Sequence, residues 1–313
     1  MRIAVVGGTG FVGRAVVDAA LTRGWNVESV PAPRIRSDST SPTLERDNWL
    51  RENRDAVAFL RNRLGGSDVV VNAAGLAAPA SADTAALVGA NAAMVAVLAR
   101  MAVEAGVGRF VQVSTAAVQG RRNPLDETLF YAPATPYAHS KMLGEQVLTG
   151  QDVARPSEVT IYRPTSVHGP DRELTRTLAR VASLPVVPLL GPDDAPLPTA
   201  HIRNVGEAVM CLSASEAVPA VALHPSEGMT ARQLLTALGA RRFIQIPRAA
   251  TRAGLGALRI AGRRVPRAEA IARRVELLAL GQTVAARELP RLGFEPTVGL
   301  EGYRQLRSTH NSK

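Results

Sequence analysis

Short apolar runs and longer segments of helical periodicity alternate through the first half of the chain. The runs are rich in β-branched residues and carry few charges, which is typical of strands buried on both faces of a parallel sheet. Five runs predict such strands: RIAVV at 2–6, WNVESV at 25–30, SDVVVNAAG at 67–75, GRFVQVST at 108–115 and EVTIYRPT at 158–165.

The intervals between these strands show helical patterns, at 11–23, 44–64, 83–105 and from 136 onward. Asp83 is placed to cap the long alanine-rich helix, and Pro136 is typical of a first helical position. Strands that alternate with helices predict an α/β fold with a doubly wound parallel sheet.

The pattern changes after about residue 165. The stretch SLPVVPLLGPDDAPLPTA is rich in proline and is expected to form loops, and the segments beyond it are mostly helical, with one short strand candidate at RFIQIP. We therefore expect a first domain at 1–165, to which 199–224 returns. A smaller, mostly helical region at 166–198 and 225–313 would form the substrate pocket.

Composition bounds the class of protein. The 313 residues are 46% hydrophobic and 20% charged, which is an ordinary globular balance. We find no run of 18 uncharged apolar residues and expect no membrane span. The N-terminus does not resemble a signal peptide, and the single cysteine, Cys211, has no partner for an internal disulfide, so a cytoplasmic location is expected.

The net charge of +10 arises in the C-terminal part, since residues 229–313 contain 16 Lys and Arg but 5 Asp and Glu. An anionic partner such as nucleic acid or a membrane surface would explain this balance. Arginines that cover solvated helix faces explain it as well, and we favour that interpretation. Aromatic residues are not interleaved with the arginines, so no nucleic-acid partner is expected.

The turn VVGGTGFVG, at 5–13, joins the first predicted strand to the first helix. Its glycines fit two dinucleotide-binding spacings, one with Gly8, Gly10 and Gly13 and one with Gly7, Gly10 and Gly13. Backbone N–H groups and the dipole at a helix N-terminus favour a pyrophosphate, and glycines let the backbone approach it. The turn therefore predicts dinucleotide binding of the Rossmann type.

Two further motifs suggest chemistry on a substrate oxygen. Tyr137 and Lys141, in YAHSK, share one helix face. A neighbouring ammonium lowers the pKa of a phenol, so Tyr137 is expected to exchange a proton near neutral pH. Ser114 and Thr115 follow a predicted parallel strand, where ligands of open α/β sheets bind. Their hydroxyls are suited to hydrogen bonding a carbonyl oxygen or to capping the loop. The histidines and the cysteine lack metal-site spacing, so no metal is expected.

Together these motifs resemble the extended short-chain dehydrogenase/reductases, a family of NAD(P)-dependent epimerases, dehydratases and ketone reductases. The resemblance covers most of the first 210 residues and continues weakly through RLGFEPTVGLEGYRQL near the C-terminus. It rests on the order and spacing of the glycine turn, NAAG at 72–75, Asn91, VSTAAV at 113–118, YAHSK and YRPTSVHGP at 162–170.

The resemblance implies specific roles. Tyr137 corresponds to the acid/base residue, Lys141 to the residue that binds the nicotinamide ribose, and Thr115 to the hydroxyl that binds the substrate oxygen. Asn91 corresponds to a helix Asn that supports the site, although a purely structural role is left open. Cofactor contacts are implied for Gly7, Gly10, Phe11, Val12, Gly13, Arg34, Arg36, Ala73, Ala74, Tyr137, Lys141, Arg163 and Pro164, and substrate contacts for Ser114, Thr115, Ser166 and His168.

For His168 a packed structural role is the other interpretation. A homodimer is also the expectation that the family brings.

Departures from the family pattern reduce the number of reactions that the resemblance allows. Dehydratases carry an Asp–Glu pair after the catalytic hydroxyl, whereas this chain has alanines at 116–117, which argues against dehydration. Nucleotide-sugar epimerases usually carry an Asn and an Arg where this chain has Ser166 and Leu197. Loss of the guanidinium favours a substrate without a diphosphate, such as a ketone or alcohol on an apolar skeleton. Arg172 or Arg176 would be an alternative phosphate ligand.

Cofactor preference is expected to depend on the end of the second strand. NAD-preferring members carry an Asp or Glu there, whereas SVPAPRIR, at 29–36, has no carboxylate and contains Arg34 and Arg36. An arginine at this place accommodates the 2′-phosphate of NADP. We expect NADP(H) rather than NAD(H), unless both arginines are merely solvated.

The leading hypothesis is an NAD(P)-dependent ketoreductase or alcohol dehydrogenase acting on a small molecule. The alternative is an NAD-dependent nucleotide-sugar epimerase that retains its cofactor. A non-catalytic dinucleotide sensor with the same fold is a third hypothesis, against which the intact Tyr137–Lys141 pair argues.

Overall fold

Ten strands are present in the computed structural model, which describes residues 1–37, 41–77, 83–150, 155–262 and 266–308. They are β1 (Arg2–Val6), β2 (Asn26–Val30), β3 (Val69–Asn72), β4 (Arg109–Val113), β5 (Glu158–Arg163), β6 (Ser166–His168), β7 (Val187–Leu189), β8 (Thr199–His201), β9 (Val221–Leu223) and β10 (Phe243–Gln245).

Helices occupy most of the intervals. They are α1 (Phe11–Thr22), α2 (Pro42–Glu52), α3 (Arg54–Leu64), α4 (Thr84–Val88), α5 (Met94–Glu104), α6 (Pro136–Thr149), α7 (Glu173–Ala182), α8 (Ile202–Ala214), α9 (Ala231–Ala237), α10 (Arg248–Gly262), α11 (Pro266–Leu280), α12 (Glu288–Arg291) and α13 (Leu300–Ser308).

Six of the strands form one parallel sheet in the order β2-β1-β3-β4-β5-β9. Alternate residues of β1 contribute to different cores, because side chains alternate across a strand. Ala4 and Val6 pack with α3 and α5, and Ile3 and Val5 pack with α1 and α8. The predicted α/β fold with a doubly wound parallel Rossmann sheet is therefore confirmed.

The predicted alanine-rich helix is one continuous helical stretch with a π-helical segment at its centre, Gly89–Ala93. Asp83 caps its N-terminus by accepting the Ala86 N–H at 3.0 Å. Thr84–Glu104 is long and apolar enough to cross a membrane, but 72% of its most apolar 18-residue window is buried in the protein. This stretch thus supplies the core behind the sheet.

Two sequence-based expectations of local structure are wrong. The single helix at 44–64 is two helices, because Asn53 leaves the helical conformation between α2 and α3 and donates its side-chain amide to Trp49 O at 2.9 Å. The proline-rich stretch at 183–200 contains β7 and leads into β8, which pair with β10 and β6 to form two small sheets.

The C-terminal region is mostly helical, as predicted, and has its own apolar core built from α7, α9 and α13. A buried carboxylate, Glu227, ties this core to the end of the main sheet. It accepts hydrogen bonds from the amide of Asn204 on α8, the ring of His224 after β9 and the hydroxyl of Tyr303 on α13. These bonds fix the wall of the site across the carboxyl ends of the strands.

Candidate active site

The glycine turn adopts the register of Gly7, Gly10 and Gly13. Gly7 has a φ of +78°, which favours glycine, and its carbonyl accepts the Gly10 N–H at 2.9 Å. A Cβ on Gly13 would lie 2.0 Å from that same carbonyl oxygen, so the first turn of α1 packs directly on the loop. Helix α1 begins at Phe11, directly after this turn, and the N–H groups in the first turn of a helix favour an anion.

The close approach at Gly13 leads to a first prediction. Alanine normally stabilises a helix relative to glycine by about 1 kcal/mol, but Gly13→Ala is expected to destabilise the protein, because the methyl group displaces the turn. We also expect at least a tenfold loss of NADPH affinity in calorimetric titration. The control is Gly254→Ala in α10, where a Cβ meets nothing within 4 Å. If both variants gain stability, the turn is not sterically constrained.

Beside this turn lies a cavity of about 250 Å³, which we call the central cavity. It opens at the carboxyl ends of the strands of the main sheet, where ligands bind in this class of fold. Many of the predicted site residues line it: Phe11, Val12, Ala73, Ala74, Ser114, Thr115, Tyr137, Lys141, Pro164 and Ser166.

Helix α6 presents Tyr137 and Lys141 together to the central cavity. Thr135 caps this helix by accepting the Ala138 N–H at 3.2 Å, and Pro136 occupies its first turn. The local sequence therefore starts the helix at a fixed residue, which sets the direction of both side chains.

The expected lowering of the Tyr137 pKa is wrong. Burial raises the pKa of the Tyr137 phenol, and the charge of Arg172 and a hydrogen bond with Thr115 oppose this effect in part. The phenol therefore keeps its proton at neutral pH. It is suited to donating a proton to a substrate oxygen, which is the role of a general acid.

Lys141 is also shifted by burial, which lowers its pKa to about 8 although the carboxylate of Glu145 favours its charged form. Its ammonium donates to Val113 O at 3.2 Å, at the end of β4. The side chain is thus held at the strand end rather than in solvent.

The low pKa of Lys141 predicts a pH-dependent stability. Between about pH 8 and 10.5, Lys141 binds more protons in the unfolded chain than in the folded protein, so the contribution of this residue to the free energy of unfolding rises with pH in this window. Lys141→Met removes this cost and should stabilise the protein by about 2 kcal/mol at pH 7. The gain should shrink towards pH 10.5.

Urea unfolding of the wild type and variant from pH 7 to pH 10 measures this difference. Arg100→Met is the control, because an exposed guanidinium does not titrate in this range. A stability difference for Lys141→Met that stays constant with pH would contradict the assignment.

The two strand-end hydroxyls have different environments. Thr115 faces the central cavity, bonds Tyr137, and accepts the Ala117 N–H at 3.2 Å. Ser114 is buried and donates to the Glu145 carboxylate. Thr115 is therefore the hydroxyl that faces the cavity beside the Tyr137 phenol, and Ser114 supports helix α6.

Asn91, for which a catalytic role was expected, does not line the central cavity. Its amide donates to Leu76 O at 3.1 Å and to Ser140 Oγ at 3.0 Å, and its carbonyl accepts the Leu76 N–H at 3.1 Å. Asn91 thus joins the helical stretch, α6 and the segment after β3. This placement matches the structural interpretation that was left open.

Arg163, for which a cofactor contact was expected, does not line the central cavity. Arg163 is fully buried and pairs with Glu145 at 2.6 Å, while its other terminal nitrogen donates to Thr128 O at 2.7 Å. Pro164, the next residue, does line the central cavity.

His168 lies outside the central cavity, and its ring nitrogens contact Ser166 Oγ and Thr175 Oγ1, each at 3.3 Å. Burial lowers the pKa of His168 to about 4, so the ring is neutral at pH 7. It therefore brings no charge to the site.

The two arginines after β2 differ in their surroundings. Arg36 forms a two-pronged ion pair with Asp83, at 3.0 and 3.1 Å. Arg34 is exposed and has no ion pair with any residue that the structure describes. Only Arg34 is thus available to a ligand without breaking an existing pair.

Gly75 and Arg172 line the central cavity, although the sequence motifs gave neither residue a role in catalysis. Gly75, with φ of +146°, leaves no space for a side chain, because a Cβ would lie 2.9 Å from Lys141 Nζ. The Arg172 guanidinium lies 5.5 Å from the centre of the Phe11 ring and faces the cavity. Helix α11 and the segment after it also line the cavity, although no motif in the sequence marks these residues. They are Arg273, Arg274, Leu277 and Gln282.

In the described part of the chain, no group of three or more His, Cys, Asp or Glu residues is placed to hold a metal ion.

Solved structures of other proteins have a fold similar to that of this chain. A UDP-glucose 4-epimerase from Thermus thermophilus in complex with NAD is 21% identical, with 100% of this chain and 99% of that chain covered and a TM-score of 0.65. MoeE5 in complex with UDP-glucuronic acid and NAD is 18% identical, covers 100% of both chains and has a TM-score of 0.66. The human epimerase family protein SDR39U1 (isoform 2), solved with NADPH, is 19% identical, covers 100% of both chains and has a TM-score of 0.64.

At these identities the likeness shows the fold. No curated protein matches the chain. The sequence profile of the NAD dependent epimerase/dehydratase family matches residues 3–221, which is more than half of the chain. The protein therefore belongs to the NAD-dependent epimerase/dehydratase family, whose members are NAD(P)-dependent enzymes.

Proposed function

We propose that the protein catalyses NAD(P)-dependent transfer of hydride between a nicotinamide and a carbonyl or hydroxyl carbon of a small molecule. The observation that carries this proposal is that Thr115, Tyr137 and Lys141 meet in one cavity beside the glycine turn. Family membership supports the use of NAD(P).

The residues around the turn fit a dinucleotide. A Cβ on Gly7 would lie 2.8 Å from Ala74, and the wall beyond it consists of small residues at 73–75. Phe11 and Val12 line the cavity from the first turn of α1, where N–H groups favour phosphate. Nothing larger than a methyl group projects from the wall at 73–75, which leaves room for a flat ring system.

A bound nicotinamide supplies hydride in reduction and accepts it in oxidation. In the reducing direction, the Thr115 hydroxyl donates a hydrogen bond to the substrate carbonyl oxygen, and Tyr137 transfers its proton to that oxygen as negative charge develops there. The charge of Arg172 favours the phenolate that remains, and solvent then returns the proton. Lys141, on the same face of α6, would bind the ribose hydroxyls of the cofactor in this proposal.

The test is oxidation of NADPH and NADH by purified protein with a panel of ketones, followed by the absorbance of the reduced nicotinamide. The panel includes aliphatic ketones, steroid-like ketones and nucleotide-linked keto-sugars. Ketone-dependent oxidation with either cofactor supports the proposal. Binding of cofactor without oxidation by any ketone would favour a non-catalytic dinucleotide sensor.

Nucleotide-sugar epimerisation is the second candidate. It is favoured by three arginines on the cavity wall, Arg172, Arg273 and Arg274, because guanidinium groups are suited to phosphate binding. The UDP-sugar complexes of similar fold favour it as well. An epimerase recycles its cofactor, so the purified protein would carry NAD(H) and convert a UDP-sugar without net consumption of added cofactor. A ketoreductase consumes added cofactor in proportion to product.

We further propose a preference for NADP(H), supported by Arg34 after β2. Arg34→Ala is expected to weaken NADPH binding tenfold or more, on the basis of about 1.5–3 kcal/mol for a hydrogen bond to a charged group, and to leave NADH binding unchanged. Arg36→Ala is the matched control, with a smaller expected effect, because Asp83 already binds that guanidinium. Equal NADPH and NADH dissociation constants that do not change in the double variant would contradict this preference.

A further inference from the structure

A second cavity of about 210 Å³ adjoins the central cavity on the side away from the glycine turn; we call it the apolar cavity. It lies between α7, α9 and α11. Its wall is formed largely by aliphatic side chains, among them Leu178, Leu197, Leu234, Ile271 and Val275. It is open to the surface on one side, where Ile271 of its wall is 48% exposed.

The two cavities share part of their walls. Ser166, Leu174, Pro198, Arg274 and Leu277 line both of them. Since Tyr137 lines the central cavity, these common residues place the apolar cavity next to the space in which a substrate oxygen would contact Tyr137.

The apolar cavity offers few polar groups that could bind a charged ligand. Both ring nitrogens of His168 have partners, and Ser166 is one of these partners. Of the described residues that line it, Arg274 alone carries a charge, and that side chain belongs to an exposed residue on α11. Leu197 is buried and packs in the core of this region. A diphosphate would be desolvated here with too few compensating cations.

Resting on the hydride-transfer function proposed above, we propose that the apolar cavity binds a hydrocarbon group of the substrate. The substrate class is then a ketone or secondary alcohol that carries an alkyl or aryl group of about six or more carbons, since an apolar cavity of about 150 Å³ holds one benzene. Ser166 and Pro198 lie at the boundary between the reacting carbon and this group.

The test measures binding rather than turnover. Wild-type protein saturated with NADPH is titrated calorimetrically with 2-alkanols from 2-butanol to 2-decanol, which form a ternary complex that has no hydride acceptor. The dissociation constant should fall about fourfold for each added methylene until the apolar cavity is filled. A dissociation constant independent of chain length would overturn the proposal.

Two variants on helix α11 locate the effect. Val275→Phe places a ring in the apolar cavity and should remove the gain for the longer alcohols while leaving 2-butanol binding unchanged. Leu280→Phe is the matched control, because Leu280 lies on the same helix, is 55% exposed and does not line this cavity. Retention of the full chain-length dependence in Val275→Phe, with thermal unfolding unchanged, would also overturn the proposal.

The binding series separates this inference from the function on which it rests. The chain-length dependence of affinity should persist in Tyr137→Phe, since that change does not touch the apolar cavity. Rising affinity with chain length but no oxidation of NADPH by any of the matching ketones would count against hydride transfer. Turnover of short and long ketones with equal kcat/KM would count against the apolar cavity as the substrate subsite.

Discussion

Tyr137→Phe is expected to lower kcat by about 100-fold to 10,000-fold, which is the usual contribution of a positioned general acid or base. The phenol is the only proton donor removed by this change, and the ring that fills the wall of the central cavity stays. NADPH affinity should therefore remain within about threefold of the wild-type value, which calorimetry measures alongside the steady-state rate. The substrate KM should change far less than kcat, because the proton moves in the transition state.

Tyr131→Phe is the matched control for this prediction. Tyr131 lies in the loop before α6, and its ring stacks on the buried guanidinium of Arg163, at 5.6 Å, outside the central cavity. The same loss of a phenol there should leave kcat near the wild-type value. If Tyr137→Phe retains more than a third of the wild-type kcat, then Tyr137 is not the acid/base residue.

The largest expected loss of stability follows from Glu145→Ala. Glu145 and Arg163 are both fully buried, and three hydrogen bonds join the guanidinium to the carboxylate. Removal of one partner leaves the other charge buried without compensation, which costs about 3–5 kcal/mol. The Ser114 hydroxyl also loses its acceptor. Urea unfolding at pH 7 measures the difference.

Glu104→Ala is the control for Glu145→Ala, since Glu104 pairs with Arg100 at 2.7 Å on the protein surface. An exposed pair of this kind contributes well under about 1 kcal/mol. A double variant, Glu145→Leu with Arg163→Met, should recover much of the stability, because it removes both partners of the buried pair together. Comparable losses for Glu145→Ala and Glu104→Ala would show that the buried pair does not stabilise the protein.

The parts of the fold that local sequence determines were predictable. The apolar runs of β1 and β3 and the glycine turn between β1 and α1 depend on near neighbours in the chain. The register of Tyr137 and Lys141 on α6 follows from helical spacing and from Thr135 and Pro136 at the helix start. These elements place the cofactor side and the catalytic side of the central cavity.

Features that depend on tertiary contacts were not predictable in the same way. Nothing in the sequence marks Asn53 as the end of α2, and the short strands β7 and β8 form only because β10 and β6 are available as partners. Arg163 belongs to YRPTSVHGP, a motif typical of cofactor contact. Its side chain nevertheless binds Glu145, which lies eighteen positions earlier in the chain.

The pKa of Tyr137 is the clearest example. Helical spacing alone suggests a phenol beside an ammonium, which would lower the pKa, whereas the packed structure buries the phenol and raises it. The substrate side shows the same limit, because α11 lies more than 100 residues from Tyr137 in the sequence and carries no motif.

The position of β9 has a consequence for how the polypeptide matures. The ribosome delivers the first five strands of the main sheet in order, but the edge of β5 is covered only by Val221–Leu223. Among the described strands, β4 and β9 are the partners of β5, so until β9 emerges Ile161 and Tyr162 belong to an open, apolar strand edge, which is a template for pairing with another nascent chain. A fragment that ends near residue 200 would retain the entire glycine turn and both Tyr137 and Lys141, and would still leave this strand edge unpaired because it lacks β9.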